Sequence, residues 1–513
     1  MDDRTDPQDA VLTFLADPAT HGGRPVRRID THAAAVFLAG KRALKIKRAV
    51  RFPFLDYSTL DKRQAACTAE IEVNRSFAPD IYRGLVAVTR EADGRLALGG
   101  AGAAVEWAVD MLRFDEEKTL DRLADGGTID AAMADALARA VAAAHAVAPV
   151  ADAEPWIDAL STYLDRNDAA FRAASDIFPA REAATLDNTS RQALTRIRPL
   201  LAARGRLGLV RRGHGDLHLD NIALIDGRPV PFDAIEFDPQ IATGDVLYDL
   251  AFLIMDLVER RLTPAANVVL NRYLAETRRD EDLAALAALP FFLALRAAIR
   301  AMVTAARRAN VAASERNAAA HTARTYFDLA RRLIAPPTPR LVAVGGLSGT
   351  GKSALARMLA PDLAPAPGAV LIRTDVERKA LFGVAESARL PAPAYAPEVT
   401  AQVYALVGDK ARRVLAAGHG AIVDAVFARS EERAAIAVVA KSCNVAFRGL
   451  FLTADLATRL ARVGTRTHDA SDADADVARA QESYDLGLLD WHEVDASGTP
   501  DTTLAHARAA LDD

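Results

Sequence analysis

The chain has 513 residues, of which 51% are hydrophobic and 26% charged, so it can bury several sizeable cores and is not disordered by composition. Its 63 basic and 68 acidic residues give a formal net charge of −5, which leaves no basic excess to neutralise a nucleic-acid backbone. Nucleic acid is therefore not expected as a partner. The two distant cysteines, Cys67 and Cys443, argue against a disulfide framework and against a cysteine-based zinc site.

The N-terminus and the most apolar segments predict a soluble, cytoplasmic protein without a membrane partner. The first residues, MDDRTDPQDAVLTF, are acidic and lack the basic region followed by an apolar stretch that marks a secretory signal. The most apolar segments, such as LYDLAFLIMDLVERR, are broken by Asp and Arg before they reach the ~18–20 residues that a membrane span needs.

The first two-thirds of the chain change from strand-like to helical patterning. Strand-like alternation recurs from residue 25 to residue 115, with one helical interruption near residues 58–77. Helical periodicity dominates afterwards, as in DAAMADALARAVAAAHAV, around a short β-rich island at residues 209–238. A small β lobe followed by a larger helical lobe with hairpins in its middle is the layout of a two-lobed kinase.

The first motif that carries chemistry is His-Gly-Asp-Leu-His-Leu-Asp-Asn at residues 214–221. The spacing H-x-D-x-x-x-x-N supplies Asp216 as a base that orients an attacking hydroxyl and Asn221 as a Mg²⁺ ligand on one loop. A predicted hairpin follows, and its second strand, PVPFDAIEFD, returns an acidic group toward the metal. This pattern indicates phosphoryl transfer.

This stretch resembles the aminoglycoside phosphotransferase-like branch of the protein-kinase fold, in which the loop reads H-G-D-x-H-x-x-N. The segment beginning at Asp245 is similar to the D-x-x-x-D-L-A helix of that family. The resemblance implies that Lys45 contacts the nucleotide phosphates, although Lys47 on the same strand is a rival. It also implies that Glu70 is the ion-pair partner of the strand lysine.

Two departures from the family pattern affect the metal and the phosphates. The I-D-F/W motif of the family appears here as Ile235-Glu236-Phe237, whereas Asp233 lies three residues earlier. The sequence leaves both Asp233 and Glu236 open as metal ligands. No glycine-rich phosphate loop is visible, because small residues (THAAAVFLAG) occupy its place.

The Pro-rich segment APPTPR marks the clearest boundary in the chain, because three closely spaced prolines cannot continue a helix. We predict a kinase-like N-lobe at residues 1–115, a helical C-lobe with the catalytic loop at 116–335, and a linker at 336–340. A nucleotide-binding domain at residues 341–513 follows.

That last domain opens with a P-loop, in which the strand LVAV runs into G-x-x-x-x-G-K-S and then into a helix. In this motif backbone N–H groups wrap around the β-phosphate, the lysine reaches the β- and γ-phosphate oxygens, and the serine ligates Mg²⁺. The residues expected to bind nucleotide here are Gly346, Ser348, Gly349, Thr350, Gly351, Lys352 and Ser353.

The segments after the P-loop resemble small P-loop kinases of the zeta-toxin, gluconate kinase and chloramphenicol phosphotransferase type. In those kinases a D-x-x-R motif after the second strand serves the acceptor hydroxyl, and a lid helix supplies arginines to the transferred phosphate. The resemblance implies that Asp375 is the acceptor-side base, that Arg378 contacts acceptor or phosphate, and that Arg462 and Arg466 are lid arginines. Asp424, at the end of the third strand, is either a Mg²⁺-holding residue or a strand-end cap.

The sequence therefore predicts an α/β and α+β multidomain protein: a bilobal protein-kinase-like fold followed by a three-layer P-loop kinase with a parallel sheet. End to end it resembles bacterial tandem proteins that join these two domain types. We expect ATP and Mg²⁺ as cofactors and transfer of the γ-phosphate to hydroxyl groups of small molecules at two nucleotide sites. Two alternatives stay open: catalysis in the P-loop domain alone, with the kinase-like domain as a nucleotide sensor or scaffold, or an ATP-gated interaction protein that is not an enzyme.

Overall fold

The protein is described by a computed structural model that covers residues 7–52, 55–308, 311–464 and 470–512. Contacts within the chain divide it into two compact units. Unit 1 comprises the chain up to Thr162 together with Arg198–Asp256, and unit 2 comprises Tyr163–Ile197 and Leu257–Asp513. Unit 2 thus contains helices that precede the Pro-rich segment, and the domain boundaries given above stay predictions.

A six-stranded antiparallel sheet with the strand order β1-β2-β3-β8-β6-β7 forms the N-terminal part of unit 1. One face packs against helix α1, where Val11 and Leu15 meet Phe37 and Leu44. The elements are α1 (Pro7–Ala16), β1 (Val26–Asp30), β2 (Ala34–Ala39), β3 (Arg42–Lys47), β4 (Arg51–Phe52), β5 (Leu55–Asp56), α2 (Leu60–Asn74), β6 (Tyr82–Arg90), β7 (Leu96–Leu98) and β8 (Ala103–Leu112).

Helix α2 packs against this sheet and faces strand β3. The helix begins after Thr59, whose hydroxyl accepts a hydrogen bond from the backbone N–H of Lys62 at 3.3 Å. Because side chains alternate along a strand, Lys45 and Lys47 project from the same side of β3. Both reach Glu70 on α2.

The remainder of unit 1 is mostly helical and contains the β10–β11 hairpin. Asp226 and Gly227 close this hairpin with φ values of 49° and 76°, as a two-residue turn of the Asp-Gly type requires. The elements from here to the end of α8 are α3 (Leu120–Asp125), α4 (Ala131–Val147), α5 (Ala153–Ala173), α6 (Ala180–Arg206), β9 (Val210–Arg212), β10 (Ile222–Ile225), β11 (Arg228–Pro231), α7 (Pro239–Ala242), β12 (Thr243–Asp245) and α8 (Val246–Glu259). Parts of α5, α6 and α8 belong to unit 2.

Unit 2 contains a five-stranded parallel sheet with the order β14-β15-β13-β16-β17. After Arg340, strand β13 is apolar and buried, as expected for a parallel sheet with helices on its faces. The elements are α9 (Thr263–Thr277), α10 (Asp280–Ala285), α11 (Leu289–Arg307), α12 (Arg316–Ile334), β13 (Arg340–Gly346), α13 (Lys352–Leu359), β14 (Val370–Arg373), α14 (Thr374–Leu381), α15 (Pro397–Ala416), β15 (Ala421–Asp424), α16 (Ser430–Ser442), β16 (Ala446–Thr453), α17 (Leu456–Gly464), α18 (Ala475–Ala480), β17 (His492–Asp495) and α19 (Pro500–Asp512). The predicted fold class is confirmed.

Two asparagines of helix α9 cover the open edge of this sheet at strand β14. The side-chain oxygen of Asn271 accepts from the backbone N–H of Leu371 at 2.7 Å, and its amide donates to the Ala369 carbonyl at 3.1 Å. Asn267 donates to the same carbonyl at 3.1 Å. Edge-strand groups that could otherwise pair with another chain are thereby satisfied.

The segment Asp280–Arg307 is long and apolar enough to cross a membrane by composition, and its most apolar 18-residue window has a mean hydropathy of 1.8. Most of it lies inside the protein, because 78% of its most apolar window is buried. A core helix of a soluble protein has the same character.

Candidate active sites

Lys45 is the centre of an ion-pair cluster on strand β3 of unit 1. Its Nζ donates to Oε1 of Glu70 at 2.8 Å and to Oδ1 of Asp233 at 2.7 Å. Lys47 lies 2.6 Å from the other carboxylate oxygen of Glu70 and pairs with Glu236. Burial alone would lower the pKa of Lys45, but the carboxylates of Asp233 and Glu70 outweigh it and raise that pKa well above its usual value. Lys45 therefore stays a cation.

The two acids that the sequence left open as metal ligands have different surroundings. The Asp233 side chain is 46% exposed, and its backbone N–H donates to the Tyr82 hydroxyl at 3.1 Å. The Glu236 side chain is only 8% exposed, pairs with Lys47, and accepts from the Tyr57 hydroxyl at 3.0 Å. Asp233 is therefore the accessible carboxylate, whereas Glu236 is engaged inside the unit.

The motif at residues 214–221 brings Asp216 and Asn221 together. The Asn221 amide donates to both the carboxylate and the backbone carbonyl of Asp216, each at 3.0 Å. His218 Nε2 lies 3.2 Å from the same carboxylate. Asp216 stays accessible, with 39% of its side chain exposed, so a substrate hydroxyl can approach it.

Two acidic residues of helix α8 accept hydrogen bonds from backbone N–H groups of the loop at residues 214–221. Asp249 accepts from the backbone N–H groups of His214 at 2.8 Å and Gly215 at 2.9 Å, and Asp256 accepts from Leu219 N–H at 3.0 Å. Sequence reasoning did not single out Asp256. Asp256 lies seven residues after Asp249 and therefore on the same helix face, and this spacing could have identified it from the sequence.

The P-loop of unit 2 has glycines where the backbone leaves no room for a side chain. Gly349 has a φ of +88°, and a Cβ added there would lie 2.6 Å from the Arg459 carbonyl oxygen. The loop is also held by Gln481, whose side-chain oxygen accepts from Ser348 N–H at 2.6 Å. Lys352 Nζ donates to the Leu347 carbonyl at 3.1 Å and so lies against the loop.

Ser353 and Asp424 form a pair of oxygen donors beside the P-loop. The Ser353 hydroxyl donates to Asp424 at 2.5 Å. Arg373 donates to both, at 3.1 Å to the hydroxyl and 3.2 Å to the carboxylate, so it fixes their orientation. Hydroxyl and carboxylate oxygens are the ligands that Mg²⁺ prefers, so the donor set fits this ion.

A cavity of about 1060 Å³ joins the P-loop to the predicted acceptor side. Lys352, Ser353, Asp375, Arg378 and Arg462 all line it. Burial and the nearby Asp424 carboxylate raise the pKa of Asp375, with Arg373 and Lys352 opposing them.

Arg378 is buried at the wall of this cavity. Its guanidinium lies over the Tyr395 ring at 4.9 Å and donates to the Ala394 carbonyl at 2.7 Å. Its Nε has no hydrogen-bond partner within the described ranges of the chain.

Two arginines of helix α17 contact the P-loop, and the sequence assigned a role to one of them. Arg462 donates to the Thr350 carbonyl at 3.4 Å and to the Gly498 carbonyl at 2.9 Å. Arg459, which sequence reasoning did not single out, is buried, donates to the Ser348 carbonyl at 2.9 Å and pairs with Glu482. Arg466 lies outside the described residues.

No cluster of three or more His, Cys, Asp or Glu side chains in the described part of the chain could hold a metal ion by itself. Mg²⁺ is commonly held by one or two protein oxygens together with phosphate oxygens of the nucleotide. The pair Ser353/Asp424 has that character, and in unit 1 Asn221 and Asp233 supply an amide oxygen and a carboxylate.

Comparison with protein families yields two separate matches. Residues 57–289 match the family described as "Phosphotransferase enzyme family", and residues 341–485 match the family described as "AAA domain". The prediction that a phosphotransferase-type domain is joined to a P-loop domain is confirmed. These matches support phosphotransferase activity in general.

Similar proteins and solved structures cover the chain to different extents. An uncharacterized protein of Mycobacterium tuberculosis is 29% identical over 490 residues, which is 93% of this chain and 94% of the relative. A gluconokinase from Sinorhizobium meliloti covers 34% of this chain and 93% of its own, with 21% identity and a TM-score of 0.25. A choline/ethanolamine kinase family protein from Mesorhizobium loti covers 64% and 99%, with 15% identity and a TM-score of 0.36.

Proposed function

We propose that this chain, with one segment similar to the phosphotransferase enzyme family and another similar to the AAA domain family, is an ATP-dependent phosphotransferase with two nucleotide sites. Each site transfers the γ-phosphate of ATP to a hydroxyl group of a small molecule. The observation that carries the proposal is that Asp375, Lys352 and Ser353 line one cavity of about 1060 Å³. A cavity of this size can hold a nucleotide and an acceptor together.

At the P-loop site the chain binds and orients the phosphates and accepts a proton. Backbone N–H groups around Gly349 and the ammonium of Lys352 bind the phosphate oxygens. Ser353 and Asp424 would hold Mg²⁺, which when bound neutralises charge on the phosphates. Asp375 takes the proton of the acceptor hydroxyl, and its raised pKa makes it a better base than an exposed aspartate.

In unit 1 the same chemistry is divided among residues of the sheet and of the catalytic loop. Lys45, oriented by Glu70, binds phosphate oxygens, and Asp216 orients the acceptor hydroxyl. Asn221 and Asp233 would hold Mg²⁺ there. The exposure of Asp233 and the internal pairing of Glu236 support Asp233 as the metal ligand.

ATP, Mg²⁺ and small-molecule alcohols are the proposed ligands, in the cytoplasm and without a membrane or nucleic-acid partner. One observation favours the second candidate function, in which only the P-loop domain is catalytic. The connection between β1 and β2 (residues 31–33) is Thr-His-Ala, so it lacks the glycines that let a backbone approach phosphate closely. Unit 1 would then be a nucleotide sensor or scaffold.

Two single substitutions in the full chain distinguish these functions. We expect Asp216→Asn and Lys352→Ala each to remove part of the phosphate transfer from γ-labelled ATP to acceptors in a cell extract, with exposed Lys41→Ala as the control. If Asp216→Asn changes nothing and Lys352→Ala abolishes transfer, only the P-loop site is catalytic. Binding of ATP without transfer to any extract component would instead indicate an ATP-gated interaction protein.

A further inference from the structure

Asp472, in the segment that follows the lid helix α17, receives three donors from the acceptor side of the cavity. Lys379 Nζ donates to its Oδ1 at 3.0 Å. The Leu390 backbone N–H donates to Oδ2 at 3.0 Å, and the Tyr395 hydroxyl donates to the same oxygen at 2.5 Å. The Asp472 carboxylate thus forms hydrogen bonds with one residue of helix α14 (Lys379) and with two residues of the loop that follows it (Leu390 and Tyr395).

The loop concerned, residues 384–396, contributes lining residues to the same cavity as the P-loop. Arg389, Leu390 and Tyr395 from this loop line the cavity. Its far end is held by the hydrogen bond from Arg378 to the Ala394 carbonyl. The position of the loop therefore sets the space that is left for an acceptor.

Because Lys379 is buried, the loss of the Asp472 carboxylate is expected to destabilise the fold. The Lys379 side chain is only 1% exposed, and its other hydrogen bond goes to the Glu386 carbonyl at 2.8 Å. A buried ammonium that loses its carboxylate is left as an uncompensated charge, which is strongly destabilising. Asp472 stays ionised: burial would raise its pKa, but hydrogen bonds from Tyr395, Leu390 and Lys379 outweigh it and lower that pKa.

Ser471, the residue before Asp472, contacts the proposed base Asp375. The Ser471 side chain forms a hydrogen bond with Asp375. Two consecutive residues, Ser471 and Asp472, thus contact the proposed base Asp375 and loop 384–396, respectively.

We propose that Asp472 is a positioning residue for the acceptor: it fixes loop 384–396 relative to Asp375 and thereby takes part in selecting the alcohol that is phosphorylated. This inference rests on the proposed function of the P-loop site. Asp472 lines the same cavity, but its hydrogen bonds go to Lys379, Leu390 and Tyr395 and not to the P-loop, so we expect its removal to act on the acceptor and not on ATP.

The test compares Asp472→Ala with Asp476→Ala in the full chain. Asp476 is a matched control because its side chain is 91% exposed and, among the described residues, forms its ion pair with Arg479 of the same short helix. In Asp472→Ala we expect amide hydrogen exchange in residues 384–396 to rise about tenfold, as expected for the loss of hydrogen bonds to a charged group. ATP affinity with Mg²⁺ should change by less than about twofold, a difference well under 1 kcal/mol.

Transfer of label from γ-labelled ATP to extract acceptors should fall in Asp472→Ala, while hydrolysis of ATP by water continues. Asp472→Glu, which keeps the charge, should recover part of the transfer. Tyr395→Phe removes a single donor and serves as a milder variant if Asp472→Ala does not fold; it should loosen the loop near residue 395.

Unchanged exchange in loop 384–396 together with unchanged transfer in Asp472→Ala would overturn the inference. An equal loss of ATP binding and transfer would overturn it as well, because Asp472 would then act on the whole domain. Absence of any transfer by the unsubstituted chain would overturn the proposed function instead.

Discussion

Lys45 Nζ lies 2.7 Å from Oδ1 of Asp233, although the two residues are 188 positions apart in the chain. The contact joins strand β3 to the segment after the β10–β11 hairpin. It places an accessible carboxylate beside the lysine proposed to bind phosphate. Three residues further on, Glu236 is held by Lys47 and Tyr57 instead.

We therefore predict that Asp233→Asn and Glu236→Gln affect metal binding differently. In a Lys352→Ala background, ATP binding at the P-loop is expected to be lost, so the measurement follows the unit 1 site. There Asp233→Asn should weaken Mg²⁺-dependent ATP binding at least about tenfold. Glu236→Gln should leave it nearly unchanged. Calorimetric titration with ATP plus Mg²⁺, and with ATP plus EDTA, measures the metal-dependent part. The reverse order of effects would make Glu236 the ligand.

Glu236→Gln should instead affect folding. Lys47 has only 3% of its side chain exposed, so weakening one of its two carboxylate contacts should lower the free energy of unfolding by about 1–3 kcal/mol. The partly exposed pair Arg28–Asp30 provides the control, because Asp30→Asn should cost less than about 1 kcal/mol. Urea denaturation measures both. Equal effects would show that the buried cluster contributes no more than a surface pair.

Asp375→Asn should abolish transfer at the P-loop site and raise stability at neutral pH. The pKa of Asp375 is raised by burial and by Asp424, so the folded state holds this proton more tightly than the unfolded state does. Ionisation of Asp375 therefore disfavours folding once the pH exceeds the usual aspartate pKa. The gain in melting temperature should be present at pH 7 and shrink as the pH falls toward that usual pKa. Full transfer by Asp375→Asn would exclude it as the base.

Gly349→Ala should abolish nucleotide binding at the P-loop. The new Cβ would lie 2.6 Å from the Arg459 carbonyl oxygen and adopt a φ of +88°, so the loop must move. Gly383→Ala is the control, because its φ is +67° but nothing lies within 4 Å of the added Cβ. It should cost about 1 kcal/mol of backbone strain and leave ATP binding intact. Both variants are measured by binding of a fluorescent ATP analogue in a Lys45→Ala background, which is meant to remove binding in unit 1. Binding should be lost in Gly349→Ala and kept in Gly383→Ala.

The sequence by itself determined the features whose chemistry lies within one turn or loop. Asp216 and Asn221 share a loop, and Lys352 and Ser353 follow the P-loop glycines directly, so their spacing already fixes their proximity. The alternation of residues along β3 also put Lys45 and Lys47 on one side of the strand. Local backbone geometry decides all of these.

Only the tertiary structure decided which of Asp233 and Glu236 is accessible, because the answer depends on Lys47 and Tyr57, which are remote in sequence. It likewise revealed that Arg459 contacts the P-loop and that Asp472 accepts a hydrogen bond from Leu390 of loop 384–396. Such contacts depend on how distant segments pack, and side-chain packing between segments leaves no fixed spacing in the sequence. Residue type alone cannot distinguish a carboxylate that is paired inside a unit from one that is open to a substrate.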